Sequence, residues 1–226
     1  MTRPFQRARS DEQRAVRRQA ILDTAAAMLT EMPVAQVSLN ELSRRVGLAK
    51  SNVLRYFESR EAVLLELLDT ALREWLDLLE DTLATSIDAS AGPHERGDQL
   101  AGAFAETLAA RPVLCDLVGA QAAVLERNIS PRIAAEYKHA TLATVAVAVR
   151  LIHAYVPELD ENDAMRYAAA AFLLTGAIWT HAQPSAAMLA AYEADPTLAA
   201  MRMDFTATLR GQLEVTASGL LARASR

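Results

Sequence analysis

The sequence has little of what cross-linked, metal-bound or β-rich proteins need. Among its 226 residues there is one cysteine, Cys115, which excludes an intramolecular disulfide and a cysteine-based zinc site. Glycine and proline number only eight each, aromatic residues make up 5%, and runs that alternate as strands do are few. With 52% apolar residues, many of them alanine and leucine, the composition predicts an all-α protein with a substantial core.

Targeting signals and cofactor motifs are missing as well. The N-terminus is rich in arginine but lacks the apolar segment of a signal peptide. The longest strongly apolar run, residues 167–179, is shorter than the roughly 20 residues that span a bilayer. The four histidines lack the i, i+4 spacing of metal ligands, and no glycine-rich phosphate loop is found. We expect a cytoplasmic protein with no membrane partner, no metal and no cofactor.

Charge is distributed unevenly along the chain. Residues 1–60 hold 11 Lys+Arg and 6 Asp+Glu, whereas residues 61–226 hold 12 and 22. A basic front on an acidic body indicates a polyanionic partner for the front alone. Chance clustering of charge on a solvated face is the alternative.

Helix breakers and caps divide the chain into about nine helices, three in front and six behind. Ser38 and Glu41 form a capping box, Pro33 and Pro157 end helices, and Pro131 suits a first helical position. We expect a helix-turn-helix domain over residues 1–58, whose residues 1–10 form a disordered basic arm, and a helical body over 59–226. The expected helices cover about 11–31, 39–45, 50–56, 59–85, 95–110, 112–127, 131–154, 160–181 and 198–222. A loop that holds Pro184 and Pro196 is expected before the last of them.

The stretch "SLNELSRRVGLAKSNVLRYF", residues 38–57, reads as two short helices joined through a glycine turn. That is the helix-turn-helix arrangement, although many proteins with this geometry never touch DNA. Apolar residues of the stretch can share a core with the first helix, which leaves polar donors on the outer face of the second. Arginine suits guanine, asparagine suits adenine and hydroxyls suit phosphate, and the start of the preceding helix can offer amides to a phosphate. The candidate DNA-binding residues on these grounds are Ser38, Asn40, Lys50, Ser51, Asn52, Arg55 and Tyr56.

The segments "AILDTAAAMLTE" and "SLNELSRRVGLAKSNVLRYFESREAVLLELL" resemble the TetR family of bacterial transcription regulators, over about residues 17–68. The resemblance implies nine helices and a recognition helix in the major groove. It implies phosphate contacts by Ser38, Tyr56 and Arg60. Leu54 stands where a phosphate-binding tyrosine is common, so that this contact is lost or passes to Arg55.

By the same resemblance, the acidic body is a ligand-binding and dimerisation domain. Small residues in "RYAAAAFLLTGAIW" and a stripe on the last helix suggest two helices of a four-helix dimer interface; the alternative is the core of a monomer. The candidate interface residues are Ala168, Ala171, Gly176, Phe205, Leu209 and Leu213. An apolar effector pocket would draw on Trp75, Phe104, Leu108, Cys115, Tyr137, His153, Phe172 and Trp179, although residues of these types are individually more often core than pocket.

The sequence therefore predicts a homodimeric regulator, acting as a repressor on a double-stranded operator at the nucleoid and released by a small apolar effector. One alternative is a helix-turn-helix regulator without an effector. A remote one is a helical enzyme that uses Cys115 or a histidine, for which the sequence offers no nucleophile–base pair. Neither the effector, the operator nor the sign of regulation can be read from the residues.

Overall fold

The computed structural model describes residues 3–224, with side chains from residue 12 onward, and this part of the chain is helical without strands. Eleven α-helices follow one another, with a 3₁₀ turn at Val34–Gln36 and a π turn at Gln121–Leu125. The helices are α1 (Arg3–Glu31), α2 (Leu39–Val46), α3 (Lys50–Val53), α4 (Arg60–Ser86), α5 (Pro93–Ala109), α6 (Pro112–Ala120), α7 (Pro131–Tyr155), α8 (Glu161–Ala182), α9 (Ala186–Ala194), α10 (Pro196–Ala199) and α11 (Phe205–Ala224).

Side-chain caps place several helix starts where the sequence predicts them. The Ser38 hydroxyl accepts a hydrogen bond from the Glu41 N–H at 3.1 Å at the start of α2, and the Ser59 hydroxyl accepts one from the Ala62 N–H at 3.1 Å in α4. The Asp160 carboxylate caps α8 by accepting from the Asp163 N–H at 2.8 Å. Such caps satisfy N–H groups that have no partner within their own helix.

The chain departs from the sequence prediction at both ends. Helix α1 begins at Arg3, where a disordered arm over residues 1–10 was expected, and residues 1 and 2 lie outside the described part. Its early residues lack glycine, and Pro4 sits in the first turn, where proline is tolerated. The expected loop before the last helix instead holds α9 and α10, and the last helix begins at Phe205 rather than at 198.

Helices α9 and α10 bring the number of described α-helices to eleven, against the nine predicted. Each of the two begins at a side-chain cap. The Ser185 hydroxyl accepts from the Met188 N–H at 3.3 Å, and the Asp195 carboxylate accepts from the Thr197 N–H at 2.8 Å. Pro196 occupies the first position of α10, where its missing N–H is not needed. The prolines that were interpreted as loop markers therefore stand just before or at helix starts.

Residues 3–68 and 120–137 form one compact unit, and residues 69–119 and 138–224 form another. The division falls inside α4, at residue 69 rather than at the predicted 59, and the segment around the π turn belongs to the first unit. The core of the first unit combines α1, α2, α3 and the start of α4. Its fully buried side chains include Ile21, Met28, Leu42, Val53 and Leu68.

The second unit packs α11 against α5 and α8 at close range. A Cβ added at Gly97 of α5 would lie 3.2 Å from the Ala217 Cβ of α11, and one at Gly176 of α8 would lie 3.2 Å from the Val118 carbonyl oxygen of α6. Burial on this scale explains the helical stripes of the sequence, since Leu79, Leu83, Leu209 and Leu213 are fully buried. No single helix among the described residues is long and apolar enough to cross a membrane. One pair of helices, bent by 93° and covering Pro93–Ala109 and Pro112–Leu125, reaches that length and apolar composition only when the two are taken together.

Candidate nucleic-acid interface

A tight turn separates α2 from α3. Gly47 ends α2 with φ +74°, a left-handed conformation that glycine adopts at little cost, and its N–H donates to the Arg44 carbonyl at 3.3 Å. The Leu48 N–H donates to the Ser43 carbonyl at 3.0 Å, which closes the helix end. Leu42 and Val53 are buried on either side of this turn. The sequence's helix–glycine–helix pattern thus forms a helix-turn-helix.

Helix α3 exposes the donors that the sequence assigned to DNA. Lys50, Ser51 and Asn52 occupy its first turn and are exposed, Arg55 follows in the turn after it, and Tyr56 is half-buried. None of these five side chains has a hydrogen bond or ion pair within the described part of the chain. They are free to bind an external acceptor, as side chains that read DNA must be. Ser38 and Asn40 are also exposed, but the Ser38 hydroxyl is engaged as a helix cap.

Four arginines between residues 18 and 60 are engaged within the protein. Arg44 and Arg45 share the Glu41 carboxylate, and their hydrogen bonds lower its pKa to about 2. Glu41 therefore binds these arginines, although the predicted capping box would have it reach back to Ser38. Arg45 also pairs with Glu31 at 2.6 Å. Formal charge consequently overstates the cations available to a polyanion.

The remaining two engaged arginines hold the turn after α3. Arg18 forms a bidentate ion pair with Glu66, and its Cζ lies 4.6 Å from the centre of the Phe57 ring. Arg60 donates to the Val37 carbonyl at 2.8 Å and contacts Glu61 at 3.1 Å, with its side chain about 20% exposed. The phosphate contact predicted for Arg60 stays a prediction, and it would have to compete with these bonds.

Three side chains near α3 were not singled out in the sequence. A depression of about 310 Å³ is lined by Gln13, Arg14 and Arg17 of α1 together with Arg55 and Tyr56. The signal was available in the spacing: positions 13, 14 and 17 lie on one face of a helix within an arginine-rich stretch. What the sequence could not reveal is which arginines of that stretch turn to internal partners.

Glu58 joins the turn after α3 to the start of α7, within the first unit. Its carboxylate accepts from the Ser130 N–H at 2.7 Å and from the Ser130 hydroxyl at 2.8 Å, and Arg132 lies 3.5 Å away. The two hydrogen bonds from Ser130, more than the charge of Arg132, hold the pKa of Glu58 below its usual range. Ser130 also caps α7, because its hydroxyl accepts from the Ile133 N–H at 3.3 Å.

The predicted effector pocket is brought together only in part. Trp75 and Phe104 pack edge-to-face with centroids 5.4 Å apart, and the Cys115 thiol donates to the Leu108 carbonyl at 3.3 Å. Phe104 also packs against Tyr167 at 5.6 Å. Of the other four candidates, Trp179 packs on Phe205, His153 is exposed with its Nδ1 2.7 Å from the Leu159 carbonyl oxygen, Phe172 is half-buried, and Tyr137 belongs to the first unit.

An open groove of about 700 Å³ runs between α4 and α7 in the second unit, and none of the eight candidates lines it. Its lining includes carboxylates of α4 and small residues of α7. Cys115 is fully buried, and burial together with the Asp116 charge raises the pKa of its thiol to about 12. A thiol so poor at ionising is unsuited to nucleophilic catalysis.

The predicted dimer residues require a correction. Ala171, Gly176, Phe205, Leu209 and Leu213 are buried within the single chain, so they cannot form a surface for a second copy. The stripe was real, but it faces the chain's own core. Ala168 alone among the six is half-buried. The outward faces of the same helices carry Met165, Ala169, Leu173 and Ala177 on α8 and Val215 on α11.

A helix-turn-helix with free donors on its second helix, attached in sequence to a larger helical unit, is an arrangement that DNA-binding regulators use. Two family models match the chain: bacterial regulatory proteins of the tetR family over residues 21–67, and the tetracyclin repressor-like C-terminal domain over residues 69–224. The chain therefore belongs to the TetR family, and it is a helix-turn-helix transcriptional regulator rather than an enzyme.

Among curated proteins, the HTH-type transcriptional regulator EthR of Mycobacterium tuberculosis is 40% identical over 65 residues, which are 29% of this chain and 30% of that protein. The match thus spans less than a third of the relative's length. Solved structures share the fold at low identity. A possible TetR family regulator from Streptomyces coelicolor A3(2) matches with TM-score 0.59 and 19% identity, over 92% of this chain and 100% of its own. The regulator FadR from Bacillus subtilis, in complex with stearoyl-CoA, matches with TM-score 0.54 and 13% identity, over 89% and 98%.

Proposed function

We propose that the protein is a repressor that binds a pseudo-palindromic operator as a homodimer, through the α3 helix of each copy. The free donors of Lys50, Ser51 and Asn52 on the first turn of α3 carry this proposal, because the N-terminal residues of a recognition helix reach furthest into the major groove. Two half-sites about one helical turn apart, near 34–36 Å, would be read together. A chromosomal operator would place the protein at the nucleoid.

The dimer would form through the outward faces of α8 and α11. Met165, Ala169, Leu173 and Ala177 recur every fourth residue on α8, and Leu173 is 70% exposed. On α11, Val215 is 69% exposed and is flanked by Gly211 and Gly219, whose added Cβ atoms would meet nothing within 4 Å. An apolar stripe with small neighbours suits close packing against the same faces of a second copy.

A small effector would bind in the second unit beside the cluster of Trp75, Phe104 and Tyr167. The cluster is apolar, and the buried Tyr167 hydroxyl has no hydrogen-bond partner in the described structure. An apolar molecule that carries one polar group would satisfy this hydroxyl. The stearoyl chain of the stearoyl-CoA bound by the structurally similar FadR is an apolar group of this kind. To lower operator affinity a hundredfold, the effector must prefer the non-binding conformation by roughly 2.7 kcal/mol.

The DNA-binding part is tested by fluorescence anisotropy on DNA from the gene's own upstream region, against random competitor. Asn52→Ala should weaken operator binding by about 1–3 kcal/mol and barely change binding to random DNA, because a base contact is lost. Asn162→Ala, an exposed asparagine of α8, is the matched control and should change neither. Equal, weak binding of the unaltered protein to all sequences would contradict an operator in that region. A promoter–reporter assay with and without the protein gives the sign of regulation.

The effector part is tested with Trp75 as the reporter. Trp179→Phe leaves Trp75 as the single tryptophan. Saturated fatty acids of graded length and stearoyl-CoA are then titrated, and we expect at least one of them to shift the Trp75 emission and release the operator. An unchanged emission and unchanged operator affinity across the series would favour the alternative, a regulator controlled by its concentration alone.

A further inference from the structure

The depression between α1 and the turn after α3, here called the α1 cleft, is lined by Gln13, Arg14, Arg17, Arg55 and Tyr56. Two of its walls come from separate segments: positions 13, 14 and 17 from one face of α1, and residues 55 and 56 from the turn that follows α3. Its volume of about 310 Å³ is at the small end of binding pockets, so it suits a compact group rather than a whole effector.

The charge of the α1 cleft is uncompensated. None of its five lining residues is acidic, and the three arginines form no ion pair or hydrogen bond among the described residues. They differ in this from four other arginines, which all bind carboxylates of the protein: Arg18, Arg44, Arg45 and Arg60. Guanidinium groups that converge without a carboxylate partner favour a bound anion, and phosphate matches their fork of donors.

The walls of the α1 cleft are held in place by an engaged arginine. Arg18, next to Arg17, pairs with Glu66 of α4 and stacks on Phe57, next to Tyr56. This contact ties α1 to the turn after α3 at the base of the cleft. The free guanidiniums and the Tyr56 hydroxyl are therefore presented by fixed backbone, which reduces the ordering cost of binding an anion.

We propose that the α1 cleft binds one phosphodiester group of the operator backbone, and that Arg14 and Arg17 are DNA-binding residues together with Arg55 and Tyr56. This inference rests on the proposed function, because the phosphodiester is supplied by the DNA that α3 reads. It assigns Arg55 to the backbone rather than to a base edge. The cleft would thereby fix the register of α3 in the groove without contributing to sequence preference.

The test is anisotropy on operator and random DNA across a potassium chloride series, with Arg14→Gln, Arg17→Gln and Arg55→Gln. The matched control is Arg150→Gln, which removes the same charge from an exposed arginine of α7 without a partner. We expect the slope of log K against log salt to fall by about 0.9 in the cleft variants and to stay unchanged in the control. Affinity should fall by the same factor on operator and random DNA, and Arg17→Lys should recover much of it.

A second arm identifies the phosphate. Operators carrying one neutral methylphosphonate linkage at a time are bound to the unaltered protein and to Arg17→Gln. At one linkage per half-site, the substitution should lower the operator affinity of the unaltered protein but leave that of Arg17→Gln unchanged. At every other linkage, it should change the two affinities by the same factor. Inorganic phosphate at constant ionic strength should compete more strongly against the unaltered protein than against Arg17→Gln, because it carries the same group.

The outcomes separate the two proposals. One outcome is that the unaltered protein binds the operator but the cleft variants keep its salt slope, as Arg150→Gln is expected to do. The α1 cleft is then not a phosphate site, whereas the proposed function as a regulator is unaffected. Absence of a coupled linkage would equally overturn the proposal, even if inorganic phosphate competes selectively, because the bound anion would then not be the operator backbone. Failure of the unaltered protein to bind any DNA at low salt would overturn the regulator and the cleft with it. Circular dichroism melting of each variant shows that the fold is kept.

Discussion

At the scale of single residues, what matters is which polar groups have partners inside the protein. The Thr107 hydroxyl accepts from the Trp75 indole at 3.0 Å and itself donates to the Ala103 carbonyl at 2.7 Å. Tyr167, in the same core, has a buried hydroxyl without a partner, and burial raises its pKa above the usual range. Two hydroxyls in one core therefore contribute in opposite directions to stability.

Removing the Tyr167 hydroxyl should not destabilise the protein. We expect Tyr167→Phe to raise the free energy of unfolding by about 1 kcal/mol, since a desolvated group is removed and no hydrogen bond is lost. Thr175→Val is the control on the same helix: its hydroxyl donates to the Ala171 carbonyl at 2.7 Å, so its removal should lower stability by about 1 kcal/mol. Urea unfolding measures both. An equal loss in the two variants would mean that Tyr167 has a partner.

The identity of donors could be predicted from sequence, but their availability could not. Residue type and position in a short helix are enough to select Lys50, Ser51 and Asn52. Whether an arginine is free depends on partners distant in sequence, such as Glu66 for Arg18, and periodicity carries no information about them. The same limit explains why Arg14 and Arg17 were overlooked although they share a stretch with Arg18.

At the scale of helices, their ends are stabilised by specific side chains, and Arg96 is the clearest case. Its guanidinium donates to the Tyr155 carbonyl at 2.8 Å at the end of α7, to the Ala91 carbonyl at 3.1 Å and to the Glu158 carboxylate at 2.6 Å. Its side chain is only 11% exposed. One cation thus satisfies the end of α7 and the loop before α5, where a C-terminal dipole favours positive charge.

We expect Arg96→Met to lower the free energy of unfolding by about 2–4 kcal/mol, because two carbonyls and a carboxylate lose their donor in a nearly buried site. Arg150→Met, at an exposed position of α7, should stay within about 0.5 kcal/mol of the unaltered protein. Chemical unfolding of the two variants side by side makes the comparison. A small effect at Arg96 would show that water replaces its guanidinium.

The Glu58–Ser130 hydrogen bonds should make the first unit sensitive to acid. The folded pKa of Glu58 lies below its usual 4.5, so its stabilisation is complete above that value and is lost as pH falls through the folded pKa. Glu58→Gln should therefore lower the melting temperature at neutral pH, and the difference should shrink in acid. The control is Glu12→Gln, an exposed position of α1. A difference that is independent of pH would contradict the ionised hydrogen bond.

Helix starts were predictable where a cap precedes them, and helix faces were less so. Ser38, Ser59 and Asp160 all cap helices at or next to the predicted helix starts. Pro184 and Pro196 were interpreted as loop residues, whereas the caps beside them begin α9 and α10. On α11 the apolar period was correct, but a period alone does not distinguish a face that packs on α5 and α8 from one that packs on a second copy.

At the scale of the whole molecule, the proposed dimer depends on the apolar helix faces that stay exposed to solvent in the single chain. If the proposed dimer forms, Leu173→Glu and Val215→Glu should convert it to monomers, since both side chains are about 70% exposed on the proposed interface. Leu142→Glu is the matched control, because Leu142 is 67% exposed on α7. Sedimentation velocity at micromolar concentration is the measurement. Dimers that survive in both interface variants would place the interface elsewhere.

The assignment of residues to units is the part of the architecture that the sequence predicted least well. A boundary at 59 was expected because a helix begins there, yet α4 runs on through residue 69 without interruption. The segment 120–137 belongs to the first unit although the whole of α5 and α6 precedes it. Composition and capping act over a few residues, so they cannot indicate that a segment packs with one far before it.

That interleaving has a consequence for how the chain is made. As the protein emerges from the ribosome, residues 3–68 appear long before Ser130, which supplies the two donors to Glu58. The nascent helix-turn-helix must therefore wait for synthesis of the segment up to residue 137 before its unit is complete. A polypeptide cut short anywhere before that point would present α3 on an unfinished support, so we expect released fragments to compete poorly with the full chain for the proposed operator.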